Sequence, residues 1–313
     1  MDRFEAMSFL LEVVEAGSIS AASRKLRTPL ATVSRKVSEL EEHLNTRLLM
    51  RSNRSVALTP AGRAFVAASK RILADLADAE RVASGETKMM KGELILSAPI
   101  ALGRLYLLPV VVDFIKENPN INVRMMLVDR RVNMVEEHVD LGMRVGELND
   151  YSLVARKVGS VRRVVCASPT YLAHRGTPNR PEDLKDHDCI TFENTLSSEH
   201  WIFNIGKTEK SFPVRSRLIV STAEAATDAA VAGLGLTRML DYQIDAQRRA
   251  SALELVLESF RAPPKSVHLV YEVGRHLPLK VRTFLDFAAP RLNKMMGALG
   301  QRSLGPGRGS AGC

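Results

Sequence analysis

Residues 19–59 constrain this chain more than any other stretch. Two runs of helical periodicity meet there, punctuated by Leu26-Arg27-Thr28-Pro29. Thr28 is placed to accept free backbone N–H groups of the helix that follows, and Pro29 suits its first position because proline has no N–H to leave unpaired. The second helix is expected over 29–43, with Leu30, Val33, Val37 and Leu40 inward and Ala31, Thr32, Ser34, Arg35 and Ser38 outward. Two helices joined by such a turn form the unit that lays its second helix in a DNA major groove. Arg35 is the best base reader on that face, since a guanidinium offers guanine two parallel donors. A plain solvated helix face is the alternative. Residues 48–59 then read as two short strands joined at Ser52-Asn53, a wing whose Arg51 and Arg54 could reach phosphates or the minor groove.

Charge agrees with that reading. The 313 residues carry a formal +9, which favours a polyanionic partner without choosing between nucleic acid and an acidic membrane surface. Its distribution is sharper. Residues 24–54 hold Arg24, Lys25, Arg27, Arg35, Lys36, Arg47, Arg51 and Arg54 against Glu39, Glu41 and Glu42. Cys166, Cys189 and Cys313 have neither the number nor the spacing of a disulfide framework or a zinc site, so no metal or cofactor is expected. The opening residues carry charge at once, unlike a signal peptide, and no apolar run is long enough to span a bilayer; a reduced, cytoplasmic protein is expected.

Around the pair, Phe4, Met7, Phe9, Leu10, Val13 and Val14 recur at helical spacing, ending at Gly17, and Ser18 can cap the next helix. Thr59-Pro60 starts a long amphipathic helix over 60–84, with Phe65, Ile72, Leu76, Ala79 and Val82 on one stripe. A second copy of the chain is the simplest cover for that stripe. Residues 85–92 read as a hinge. Beyond it strands and helices alternate: a strand at 94–97, a helix over 102–117 with Leu105, Leu108, Val112 and Ile115 inward, a strand at 121–128, a helix at 132–138 and strands at 140–145, 153–157 and 162–166. That order predicts a largely parallel sheet. From Ser168-Pro169 a second region follows, with strands at 201–203, 211–214 and 217–220, a helix at 223–232, a strand at 234–237, a helix at 241–248 and strand-like residues 251–255. The chain returns through an apolar stretch at 267–271 to a final helix at 278–296. Two small α/β lobes would leave a cleft between them, the usual place for a ligand. The glycine-rich residues 298–313 are expected to be disordered.

These residues resemble the LysR-type transcriptional regulators over nearly the whole length. The resemblance is carried by Gly17-Ser18-Ile19-Ser20-Ala21-Ala22, Val33-Ser34-Arg35, Leu40-Glu41, Leu48-Leu49 and Leu58-Thr59-Pro60-Ala61-Gly62 at the N-terminus. Later come Gly92-Glu93-Leu94, Val139-Asp140-Leu141-Gly142, Cys166-Ala167-Ser168-Pro169 and Ala232-Gly233-Leu234-Gly235-Leu236. The resemblance implies an α+β chain: a winged helix-turn-helix at 1–59, a dimerising linker helix and hinge at 60–91, and a two-lobed periplasmic-binding-protein-like effector domain at 92–297. Lobe I would be about 92–165 with 267–297, and lobe II about 166–266.

It further implies a homodimer or homotetramer on double-stranded promoter DNA, an unidentified small-molecule effector, and RNA polymerase as a further contact. The DNA set is Thr28, Leu30, Ala31, Thr32, Ser34, Arg35, Arg51 and Arg54; the effector set is Ser97, Pro99, Ile100, Val145, Gly146 and Thr222. Leu30 departs from the small or polar residue common in the family, and Thr32 from its alanine or proline, which would change the operator read. Thr222 could cap the helix at 223–232, whose N-terminus would favour an anion. Arg144 reads first as a structural ion-pair partner and second as a ligand contact. Cys166 reads as a small apolar filler, with redox sensing as the alternative.

The rival readings are a two-lobed small-molecule-binding protein without a regulatory role, an enzyme using the cleft, and an architectural DNA protein. The N-terminal reader argues against the first. Scattered histidines without metal-ligand spacing or a nucleophile elbow argue against the second, and some 200 residues of α/β sensor against the third.

Overall fold

The computed structural model describes residues 2–51, 56–83, 90–148, 150, 152–192, 200–206, 208–273 and 277–303. The chain forms two compact units, Met1–Met89 and Met90–Cys313.

In the first unit, helix α1 (Arg3–Ala16) starts on Asp2, whose carboxylate accepts the N–H of Phe4 and Glu5, and stops at Gly17 with φ +73°. Ser18 accepts the Ala21 N–H and starts α2 (Ile19–Leu26). Helix α3 spans Leu30–His43, so Pro29 stands just before its first turn rather than in it. Thr28 does not cap: it sits one position too early, and its hydroxyl donates back to the Leu26 carbonyl at 3.1 Å. Ala6, Leu10, Val13, Ala22, Val33, Val37 and Leu40 close one core with Leu48, Leu49 and Val66. Leu30 is not part of it. It continues the Val33–Val37–Leu40 stripe past the core edge and is 49% exposed.

Strands β1 (Leu49–Arg51) and β2 (Val56–Leu58) pair antiparallel with Leu49 opposite Leu58. The expected turn at Ser52-Asn53, Arg54 and the side chain of Arg51 lie outside the described residues. Helix α4 (Pro60–Ala83) follows, with the Thr59 hydroxyl accepting the Gly62 N–H at 2.9 Å. A Cβ on Gly62 would stand 2.0 Å from the Leu48 carbonyl oxygen, so glycine is what lets α4 approach the wing. Phe65 packs against the core, whereas Ile72 is exposed. The side chains of Ala79 and Val82, and most of the expected hinge, lie outside the description.

The second unit holds two five-stranded sheets. The first has the order β4-β3-β5-β14-β6, from β3 (Gly92–Ala98), β4 (Ile121–Leu127), β5 (Leu141–Val145), β6 (Leu153–Val161) and β14 (Lys265–Glu272). The second has the order β11-β8-β12-β7-β13, from β7 (Arg163–Ala167), β8 (Asp188–Phe192), β11 (Arg215–Val220), β12 (Leu236–Leu240) and β13 (Glu254–Val256). Each sheet has two parallel pairings followed by two antiparallel ones, so the expectation of a largely parallel sheet is corrected to a mixed one. The antiparallel half arises where the chain crosses between lobes: β6 leads through Arg162 into β7, and β14 returns to the first sheet. β7 pairs with β12, so all of it from Arg163 onward belongs to the second sheet. Strand β8 was not anticipated, because Cys189-Ile190-Thr191-Phe192 is short and follows a polar turn.

Against the first sheet lie a helical run and α10 (Leu279–Ser303), with Phe114 and Phe284 edge to face at 5.0 Å. The run is α5 (Ile100–Leu102), a π-type turn over Gly103–Leu107 and α6 (Leu108–Glu117). Its inward residues are Leu107, Val110, Val111 and Phe114. Leu105, Leu108, Val112 and Ile115, expected inward, are 36–41% exposed. Both stripes are apolar, and the wide turn, which adds a residue per turn, sets which one meets the sheet. Gly103 makes room for that turn: a Cβ there would stand 2.4 Å from Leu127 Cδ2.

Residues 134–138 form one hydrogen-bonded turn, with Val139 N–H donating to the Met134 carbonyl, and not the expected helix. Residues 298–303 are not disordered: they finish α10, and Leu299 is fully buried. The second sheet is covered on one side by α7 (Pro169–Arg175) and by the hairpin β9 (His200–Ile205) and β10 (Thr208–Pro213), with Trp201 and Phe203 in the core. On the other side lie α8 (Ala223–Val231) and α9 (Asp241–Arg249).

Candidate functional site

The first surface is the outer face of α3. Val33, Val37 and Leu40 fix its inner face, which leaves Leu30, Ala31 and Arg35 exposed and Thr32, Ser34 and Ser38 half-buried. Among the described residues no side chain caps its N-terminus, so first-turn N–H groups remain available to an anion such as a backbone phosphate. Arg35 pairs with Glu39 at 2.8 Å, one turn on, at a position open to solvent. Such an exposed pair holds its arginine weakly and can be exchanged for a base edge. Thr28, tied to Leu26, borders this face.

Sequence reasoning counted Glu41 only as an acid in a basic window. It is buried, and its Oε1 accepts the backbone N–H of Leu48 at 2.7 Å and of Leu49 at 2.9 Å. It thereby joins α3 to the first strand of the wing. Its spacing, six residues before an Arg-Leu-Leu stretch, was the available signal.

The second site is a cavity of about 380 Å³ in the second unit, at the place where the two sheets exchange strands. Pro99, Asp129, Val145 and Lys265 line it from the first lobe. Arg163, Ile190, Phe192, Trp201, Ile202 and Arg238 line it from the second. Of the expected effector residues, the cavity gathers Pro99 and Val145. Ser97 is fully buried in β3 and its hydroxyl has no partner among the described residues. Ile100 donates its N–H to Asp129 Oδ1 at 3.0 Å. Gly146 turns the chain at φ +97°, and Thr222 caps α8 by accepting the Ala225 N–H. None of these four contributes to the lining.

Arg144, outside the lining, donates to the Met143 carbonyl at 3.0 Å, and burial pulls its pKa down. Cys166 is fully buried, and burial pushes its thiol up to about 12.

Arg163 and Arg238 were not singled out from sequence. A charged residue inside an apolar strand, as in Arg163-Val164-Val165-Cys166 and Thr237-Arg238-Met239, was the signal for both. Burial, helped by the nearby Arg163, brings Arg238 down to about 9, and burial lowers Arg163 as well. Asp129 is shifted the other way, raised by burial.

Among the described residues no group of three or more His, Cys, Asp or Glu could hold a metal ion. No single described helix is long and apolar enough to cross a membrane. The pair α1 and α2 passes only on length and composition, is bent by 116°, and buries its apolar side in the core described above.

A winged helix-turn-helix followed by a two-lobed α/β ligand domain defines a class of DNA-binding regulators, and the comparisons agree. Residues 4–63 match the family described as bacterial regulatory helix-turn-helix protein, lysR family, and residues 87–293 match the LysR substrate binding domain. An uncharacterised HTH-type transcriptional regulator of Haemophilus influenzae is 31% identical, over 90% of this chain and 98% of its own length. The full-length structure of the Vibrio cholerae virulence activator AphB is 29% identical with a TM-score of 0.58, covering 91% of this chain and 97% of that one. The structure of CrgA from Neisseria meningitidis is 29% identical with a TM-score of 0.60, covering 92% and 98%. The chain belongs to the LysR family of transcriptional regulators, a family of DNA-binding proteins rather than enzymes.

Proposed function

We propose that this chain is a cytoplasmic, sequence-specific regulator whose DNA binding answers to a small molecule held in the cavity between the lobes. The observation that carries the reading is the α3 face. It combines an N-terminus without a described side-chain cap, outward Leu30 and Ala31, and an exposed Arg35. In this reading 1–59 reads the operator, with Thr28, Leu30, Ala31, Thr32, Ser34, Arg35, Arg51 and Arg54 nearest the DNA. Residues 60–91 pair two copies, and 92–297 senses the effector. Pro99 and Val145 touch the ligand directly, and Ser97, Ile100, Gly146 and Thr222 set the loops around it.

Paired half-sites require paired readers. The exposed stripe of Leu105, Leu108, Val112 and Ile115 supports a second contact between copies, and two kinds of contact build a tetramer. RNA polymerase is the partner through which promoter occupancy would change transcription.

The test is a footprint of the full chain on DNA upstream of its own gene, at near-physiological salt with competitor DNA. Protection of an inverted repeat is the expected result. Absence of specific protection there and in a genome-wide search overturns the reading.

A further inference from the structure

Among the described residues the cavity holds more positive charge than carboxylate to answer it. Arg163 opens β7 and stands opposite Leu240 on the antiparallel neighbour β12, two residues beyond Arg238. Residues two apart on a strand share a face, so the two guanidiniums project from the same side of the sheet as diagonal neighbours. Arg238 is held in place, with Nη1 donating to the Ile202 carbonyl at 3.0 Å and its guanidinium 5.9 Å from the centre of the Phe203 ring. Its remaining donors are left for something else. Among the described residues neither Arg163, Arg238 nor Lys265 has an ion-pair partner, yet all three line the cavity. Among the described residues the one acid in the lining, Asp129, already accepts the Ile100 N–H. Two like charges drawn together favour an anion between them. Phe192, Trp201 and Ile202 give the rest of the wall an apolar side, beside the polar Thr191, His200 and Gln243.

We propose that this cavity takes a small carboxylic acid with a ring-bearing apolar body, its carboxylate held between Arg163 and Arg238 and its ring against Phe192 and Trp201. The inference rests on the cavity being the effector site. Planar guanidiniums match the two oxygens of a carboxylate in a fork geometry, which gives direction as well as charge. Lys265, at the start of β14 in the other lobe, adds a point charge from across the cavity, so an acid bound here ties the lobes together. Asp129 disfavours a doubly charged head group, which selects a carboxylate over a phosphomonoester.

The experiment is calorimetric titration of the full chain with benzoate, phenylacetate and cinnamate, then with benzamide, phenylacetamide and phenyl phosphate. At least one acid binds at least about tenfold tighter than its amide and than phenyl phosphate. Arg163→Gln and Arg238→Gln each weaken that acid by about ten- to a hundredfold and leave the amides unchanged. Lys265→Gln weakens it less. Amides binding as well as acids, phenyl phosphate binding tighter than every acid, or no acid binding at all overturns the proposal. The wild-type comparison of acid with amide needs no variant, so a misfolded variant does not remove the test. A footprint on the same preparation separates the two readings: lost DNA binding overturns the regulator, whereas an intact footprint with no preference for acids overturns the ligand class alone.

Discussion

Glu41 accepts the Leu48 backbone N–H at 2.7 Å through the same oxygen that takes the Leu49 N–H, so one buried carboxylate couples the end of α3 to the first strand of the wing. Neither N–H has water to fall back on. Glu41→Ala should leave both unpaired and lower the stability of the N-terminal unit by about 2–4 kcal/mol. Glu41→Gln keeps an acceptor oxygen and should lose about 1 kcal/mol. Denaturant unfolding followed by a signal from the N-terminal unit measures this, and the footprint should weaken in the same order. Equal stability of Ala and Gln variants would contradict the coupling.

The outward face of α3 should separate affinity from stability. Leu30 is 49% exposed, so Leu30→Ser should change folding stability by less than about 0.5 kcal/mol. It should still reduce operator binding, since an apolar side chain there can meet a thymine methyl. Arg35→Ala should cost about 1–3 kcal/mol of discrimination between operator and random DNA. Quantitative footprints with and without competitor give both quantities. An unchanged specificity ratio for Arg35→Ala removes it from base reading.

The buried thiols predict an alkaline limit. Burial pushes Cys166 and Cys189 from 9.0 up to about 12. The folded chain therefore keeps these protons where the unfolded chain has lost them, and stability falls as pH rises from about 9 towards 12. Each thiol accounts for a loss on the order of a few kcal/mol by the upper end of that window. Unfolding curves across it should show a smaller loss for Cys166→Ala than for the parent chain. In a Cys313→Ser background, iodoacetamide at pH 8 should label only after denaturation. Rapid labelling of the folded chain would restore Cys166 as a reactive thiol.

Local chemistry made the first unit readable. Gly17 at φ +73° and Ser18 accepting the Ala21 N–H are decided by neighbours within four residues, so sequence alone placed them. The Thr28 and Pro29 assignments failed by one position, because the turn ends on Arg27 at φ +51° and the hydroxyl finds a nearer partner. The helical run at 100–117 carries two apolar stripes, and periodicity alone offers no ground for choosing between them. The choice is made by a π-type turn and by Gly103 against Leu127, both tertiary facts. The cavity was least legible. Ser97 and Thr222 are set by local strand and cap geometry and lie outside its lining, whereas Arg163 and Arg238 meet there only because β7 pairs antiparallel with β12 across some 70 residues of chain.

The exposed stripe gives the last prediction. Leu105, Leu108, Val112 and Ile115 fall at spacings of three, four and three, the pattern of a helix seam that seeks a partner. Their inward counterparts Leu107, Val110, Val111 and Phe114 already fill the core, so the stripe adds little to the fold of its own lobe. Leu108→Lys with Val112→Lys should therefore leave thermal unfolding of the second unit nearly unchanged while lowering the assembly state seen by analytical ultracentrifugation. Four half-exposed side chains covered by a second copy would gain roughly 25 cal/mol for each Å² removed from water, and a pair of lysines facing each other across that seam reverses the gain. With fewer subunits on one DNA, the footprint should shorten and binding should lose its dependence on protein concentration beyond the dimer. An unaltered sedimentation profile would assign the stripe to no contact between copies.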